Sequence, residues 1–326
     1  MTLLDNLARR GSTENLAWLR KRHPALRFVH ADIRSDLEAL RTEASAADAI
    51  FHLASQVAVT TSWKNPREDF DVNAAGTLNL LEAIRGPGVN PILIYASTNK
   101  VYGGMEDITV ELAGNRYRYR DLPLGIPESR LLDFHSPYGC SKGTGDQYIR
   151  DYARVYGLNT VVMRQSCIYG PRQYGITDQG WVSWFMVAAV GDQPITVYGD
   201  GKQVRDILHV ADLARAYELA LEKIKGVRGQ IFNIGGGPEN TLSVLELIDT
   251  LEPKLGRKIR HAFDDWRPGD QPCYVSDVRK ANAVLGWQPS IKKEEGLEQL
   301  LVWVQEHLEE FRTLGILNVP ERALAR

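Results

Sequence analysis

The stretch that most constrains this chain is Pro91-Ile92-Leu93-Ile94-Tyr95, which runs into Ala96-Ser97-Thr98. An apolar run with no polar alternation reads as a strand buried on both faces, the environment of a parallel sheet. Downstream, Ser136-Pro137-Tyr138-Gly139-Cys140-Ser141-Lys142 opens a helix, with Pro at its first position. Tyr138 and Lys142 are four apart and share a helix face. A phenol beside an ammonium is expected to have its pKa pulled down, because the cation favours phenolate. A hydroxyl from the strand end, Thr98, could hold a substrate oxygen against that phenol. Together these groups suit proton transfer from an alcohol being oxidised to a carbonyl, with a nicotinamide as hydride acceptor. An isolated Tyr-x-x-x-Lys is more often a surface lysine near a buried tyrosine. Here the strand ends in Ser-Thr, the helix starts with Ser-Pro, and the chain alternates strand and helix patterns from end to end.

Those patterns run in order. Thr2-Leu3-Leu4 reads as a strand tail and Asp5-Asn6-Leu7 as the turn after it. Leu26–Ile33 gives a second strand with an acid, Asp32, near its end. A helix follows around Asp36–Glu43, a third strand at Asp48–Ala54, and a long helix pattern over Pro66–Arg85. The polar insert Gly103–His135 precedes the helix Tyr138–Tyr156 and the strand Thr160–Arg164. Short βα loops of this kind predict an α/β fold, a Rossmann-like doubly wound parallel sheet with ligands at the carboxyl ends of its strands. Residues at those ends are Asp5, Asp32, Ala54, Ser97, Thr98 and Gln165. Asp5 is placed to take a ribose hydroxyl pair; alternatively it is a turn acid, and Asp32 an Asx-turn or cap.

The second half reads differently. Trp181–Val190, Val210–Glu222, Ser243–Leu255, Ser276–Leu285 and Glu294–Glu309 carry helix patterns, between short strands at Ile195–Tyr198, Val204–Leu208 and Ile231–Ile234. Arg172, Gln173, Arg205 and Arg267 fall on loops or strand ends, where a guanidinium suits a diphosphate, though any one could be a solvated surface charge. Gly235-Gly236-Gly237 lacks the Gly-x-Gly-x-x-Gly spacing and reads as a turn. The expected organisation is a nucleotide-binding domain over 1–164, a smaller and mainly substrate domain over 165–312, and a tail over 313–326.

A net charge of −2 offers no global field for nucleic acid or anionic membrane, and no apolar run approaches a membrane span. Three widely spaced cysteines, Cys140, Cys167 and Cys273, suggest a reducing cytoplasm. The seven histidines show no ligand-like pairing, so no metal site is expected. A dinucleotide fold also needs a glycine-rich turn after its first strand. Counting back from the ribose acid, about 30 residues of strand, turn and helix should precede it. None stands before Asp5. The expectation is a sheet without that central strand, and a chain from Met1 that binds dinucleotide poorly or folds poorly.

The residues resemble the extended short-chain dehydrogenase/reductase group, specifically its NAD-dependent sugar-nucleotide epimerases and dehydratases. The resemblance runs from Asp5 to about Val304. It is carried by Asp5-Asn6-Leu7, His52-Leu53-Ala54, Asn73-Ala74-Ala75-Gly76-Thr77, Ser97–Gly103, Tyr138–Lys142, Arg205-Asp206 and Leu285-Gly286-Trp287-Gln288-Pro289. Leu132–Gly143, Asp178–Val182 and Gly201–Asp206 look most like members that act on CDP-sugars. The resemblance implies NAD as cofactor and a sugar nucleotide, a CDP-sugar, as substrate. It implies that Asp5 and Asn6 hold the adenosine ribose and that Asp32 and Ile33 flank the adenine. Leu53 and Ala54 would line the pyrophosphate–nicotinamide stretch, with Asn73 in support. Tyr138 would be the general base, Lys142 would tune it and bind the nicotinamide ribose, Thr98 would hold the reacting hydroxyl, and Ser97 would support it. Arg172, Gln173, Arg205 and Arg267 would contact the substrate diphosphate. Asn99 and Gln165 would face the sugar, Gln165 standing where the group often has His.

Dehydratases of the group usually carry Asp-Glu directly after the Thr, to move protons during water loss. Here those positions are Asn99 and Lys100, so elimination lacks an evident acid and base, and epimerisation is the expected reaction. The open alternatives are another epimerase or a reductase of the group, or a non-catalytic sugar-nucleotide-binding remnant. The group commonly pairs through two helices per subunit, implying a homodimer or homotetramer built on Pro66–Arg85 and Tyr138–Tyr156.

Overall fold

A computed structural model of the chain describes residues 1–86 and 88–317. The apolar run forms a strand, β4 (Ile92–Thr98), in a four-stranded parallel sheet. Its neighbours are β3 (Ala49–His52) and β5 (Asn159–Gln165), and β6 (Gln230–Ile234) lies beyond β5. Ile92 pairs with Ala49 on one side and Asn159 on the other, and Val161 pairs with Gln230. Leu93, Ile94, Val161, Val162 and Met163 are fully buried, as unalternated apolar strands require.

The first two strands stand apart. β1 (Thr2–Asp5) and β2 (Arg27–His30) pair parallel as a separate two-stranded sheet. β3 ends the four-stranded order, with Phe51 and Leu53 exposed.

Helices cover both faces. One layer packs Ile33, Leu40, Leu80, Leu81, Ile84 and Ile149 against Leu93, Tyr95 and Val162. The other packs Ala216, Ala220, Leu285 and the fully buried Trp287 against Ile94, Met163 and Phe232. The second layer and β6 come from the second half of the chain, so the sheet draws on residues beyond 164. Hydrophobic contact with the sheet, not chain order, sets that membership.

The second half builds its own core between Trp181–Val190, Val244–Leu255 and Lys293–Glu306. Its central strand, Val204–His209, pairs with Thr241–Ser243, Cys273–Tyr274 and Cys167–Tyr169. Past the helix Leu308–Thr313, Ile316 and Leu317 are buried in this core; residues 318–326 of the expected tail lie outside the described residues. Within the polar insert, Val110–Ala113 and Arg116–Tyr119 form an antiparallel hairpin.

The Pro66–Arg85 helix pattern is interrupted. Pro66–Phe70 and Gly76–Ile84 are α-helical, and Asp71–Ala75 between them is a π turn. There the Asn73 carbonyl accepts from the Thr77 hydroxyl at 2.6 Å while the Asn73 side chain turns toward the sheet edge. Among the described residues no helix is long and apolar enough to cross a membrane.

Candidate active site

Thr98 is the last residue of β4 and Tyr138 lies in the first turn of the helix Ser136–Tyr156. The fold brings them close enough for the Thr98 hydroxyl to favour the charged form of the phenol. Thr98 also donates to Asn99 Oδ1 at 3.3 Å and accepts the Lys100 N–H at 3.3 Å. The backbone N–H of Tyr138 is held by Ser62 Oγ at 3.1 Å.

Lys142 sits one turn along the same helix, buried. Its ammonium donates to the Ala96 carbonyl at 2.6 Å and lies 4.4 Å from the centre of the Tyr95 ring. A Cβ at Gly145 would come within 2.4 Å of the Tyr95 hydroxyl, so glycine there lets the ring slide beneath the helix. Burial lowers the Lys142 pKa to about 7, against the raising pull of Asp146 and Asp69.

The phenol departs from expectation. Burial pushes the Tyr138 pKa up to about 12; the Thr98 hydrogen bond lowers it and the Asp69 charge raises it further. The expected lowering by Lys142 is not realised, because the ammonium is turned onto the Ala96 carbonyl and the Tyr95 ring.

Two polar networks anchor this constellation. Asn73 donates to Gln56 O, Asp69 Oδ1 and Ser141 Oγ, and accepts from Gln56 N and Ser55 Oγ. It thus ties the loop after β3 to the residue beside Lys142. Ser97 donates to Asp146 Oδ2 at 2.7 Å, inside the helix–sheet interface. Asp146 in turn takes two hydrogen bonds of 2.9 Å from the buried Arg164, which also donates to Tyr102. The Ser97 hydroxyl is therefore committed to the buried Asp146–Arg164 ion pair, not to Thr98 or to the cofactor, which the resemblance also implied for it.

At the far end of the sheet, Asp5 accepts from the Leu7 N–H at 2.6 Å, which makes it a turn acid in this structure. Asn6 donates to Asp32, joining the loops after β1 and β2. Asp32 is chelated by Arg34, which holds its carboxyl well below the usual range. Ile33 is buried against Gly76, while Leu53 and Ala54 are exposed.

The basic residues divide. Arg205 donates to Asp270 at 2.5 Å, and Arg267 stacks 3.9 Å from the Tyr198 ring centre and donates to Thr177 O. A cavity of about 690 Å³ is lined by Thr177, Trp184, Thr196 and Arg260, and neither Arg205 nor Arg267 lines it. Arg172 is elsewhere. It lies between the Trp18 and Trp303 rings and donates to Tyr174, so packing of distant helices, invisible in the sequence, takes it from its expected diphosphate role. Gln173 donates to Ile168 O, and Gln165 donates to Tyr217.

A model of the "NAD dependent epimerase/dehydratase family" matches residues 2–235. The chain belongs to the NAD-dependent epimerase/dehydratase family. It is 46% identical over 309 residues to CDP-paratose 2-epimerase of Salmonella typhi, covering 93% of this chain and 91% of that protein. It is 30% identical to dTDP-glucose 4,6-dehydratase of Salmonella typhimurium (strain LT2), over 92% of this chain and 84% of that one. Among solved structures, UDP-glucuronic acid 4-epimerase of Bacillus cereus in complex with UDP-glucuronic acid and NAD superimposes with a TM-score of 0.79. That match has 28% identity and covers 94% of this chain and 90% of that one.

As a member of this epimerase/dehydratase family the chain uses NAD. The residues around Lys142 fit the nicotinamide–ribose half of that cofactor. An ammonium has three donors, of which the Ala96 carbonyl takes one, leaving donors for ribose hydroxyls. The exposed Leu53 and Ala54 offer apolar surface at the carboxyl end of β3. Sequence reasoning missed Tyr95, Asp146 and Lys100. Asp146 was findable, four residues after Lys142 on the same helix face.

Proposed function

We propose that this chain epimerises a CDP-sugar at carbon 2, interconverting CDP-paratose and CDP-tyvelose. The observation that carries the reading is the Thr98–Tyr138 contact with Asn99 and Lys100, rather than acids, directly after Thr98. The 46% identity to a CDP-paratose 2-epimerase supports the substrate.

Tyr138 takes the proton of the substrate hydroxyl while Thr98 holds its oxygen. Bound NAD would supply the hydride acceptor, and then the donor, for the carbon that bears that hydroxyl. Lys142 would hold the nicotinamide ribose through the donors that Ala96 leaves free. The keto-sugar turns over, and Tyr138 returns its proton to the oxygen as the alcohol re-forms with inverted configuration. No water is lost, so no further acid or base is needed. Asp5, Asn6, Asp32, Ile33, Leu53, Ala54 and Asn73 line or brace the cofactor, and Asn99, Gln165, Gln173, Arg205 and Arg267 the substrate.

We place the enzyme in the cytoplasm, as a homodimer or homotetramer. Phe70, Tyr148, Val155 and Tyr156, exposed on the two helices expected to pair, support association.

The test is incubation with NAD and, in parallel, CDP-paratose, UDP-glucose and dTDP-glucose, followed by NMR. Conversion of CDP-paratose to CDP-tyvelose, with the other two unchanged, is expected. Epimerisation of UDP-glucose at carbon 4, or water loss from dTDP-glucose, would overturn the reading.

A further inference from the structure

Lys100 begins at the reacting centre and ends at the substrate wall. It follows β4 in the short 3₁₀ helix Asn99–Tyr102. Its N–H bonds Thr98, and its carbonyl backs onto the first turn of the Tyr138 helix, where a Cβ on Gly139 would lie 3.2 Å from it. The side chain runs across to the loop Gly269–Gln271. There its ammonium is 3.5 Å from the Gly269 carbonyl and 3.5 Å from Gln271 Oε1. Both contacts are long and neither acceptor is charged.

The charged surroundings are unbalanced. Lys100 senses Asp270 and Arg205. The Asp270 carboxylate is already engaged by the Arg205 guanidinium and by the Gln271 N–H. Two cations therefore share one acid, and burial disfavours the Lys100 charge. Lys100 remains half-buried, open enough for a ligand to reach it. A wall with surplus positive charge and an incompletely bonded ammonium takes an anion.

A sugar nucleotide brings its anion at carbon 1. When the reacting carbon is carbon 2, the glycosyl phosphate hangs from the adjacent carbon. When it is carbon 4, the phosphate is on the opposite side of the ring. We propose that Lys100 binds the β-phosphate of the substrate and so sets carbon 2, rather than carbon 4, against Thr98 and Tyr138. The choice of carbon rests on the carbon-2 reading above; the phosphate contact does not.

The test compares nucleoside diphosphate with monophosphate, which differ only in the β-phosphate. CDP, CMP, UDP and UMP are titrated calorimetrically into the wild-type chain, Lys100→Met and Lys100→Arg. Lys100→Met should weaken CDP about tenfold while leaving CMP nearly unchanged, and Lys100→Arg should keep most of the preference for CDP. CMP affinity and thermal unfolding report whether each variant is folded. An unchanged CDP-to-CMP ratio in Lys100→Met, or equal weakening of both, overturns the proposal. A wild type that prefers UDP, with the lysine effect intact, overturns the cytidine reading and upholds the phosphate contact. A wild type that binds neither diphosphate overturns both.

Discussion

At the residue scale, Lys142 shows how position overrides residue type. The Tyr138–Lys142 pair was legible in the sequence because four-residue spacing fixes a shared helix face. Its electrostatics were not, because they depend on the Ala96 carbonyl and the Tyr95 ring, supplied by a strand far away in sequence. Lys100 was read only as the absence of an acid, although a cation just past the strand end was itself a signal. The buried lysine has a pH consequence. Its folded pKa, about 7, lies below the ordinary lysine value of 10.5, so between those values the unfolded chain binds the extra proton. Stability from this group therefore rises with pH across that interval, and the cost of burying the charge is felt in full below pH ~7. Lys142→Met should remove that cost, raising the melting temperature of the cofactor-free chain most at pH ~6 and progressively less toward pH ~9. A wild-type-minus-variant difference that does not change over that range would contradict the assignment.

At the scale of elements, the helix Ser136–Tyr156 is fastened to the sheet by charge as well as by packing. Asp146 and Arg164 are fully buried and share two hydrogen bonds, with Ser97 on one side and Tyr102 on the other. Removing one partner leaves an unpaired buried charge, which costs far more than the pair contributes. Asp146→Ala should lose about 3–5 kcal/mol in denaturant unfolding. A loss under ~1 kcal/mol would mean that water or another acid reaches Arg164. Element positions were largely legible: Trp181–Val190 and Val210–Glu222 are helices with the expected bounds. The π turn at Asp71–Ala75 was not, since it depends on the buried contacts of Asn73 with Gln56 and Ser141, which no local period records.

At the scale of the whole molecule, the parallel sheet was legible from the β4 run and the alternating pattern. Its return strand was not, because β6 is added by the second half of the chain. That topology puts Thr98 at the end of β4 and, through the Lys100 side chain, brings that strand end to the loop Gly269–Gln271 of the second half. On the proposed reading, a substrate held there is oxidised and reduced without leaving. The most direct test is to run the epimerisation of CDP-paratose with NAD in deuterated water. Return of the same hydride predicts CDP-tyvelose with ordinary hydrogen at carbon 2, and Tyr138→Phe should slow its formation by about 10²–10⁴-fold. Deuterium at carbon 2 would show that the hydrogen leaves as a proton, and would contradict the account.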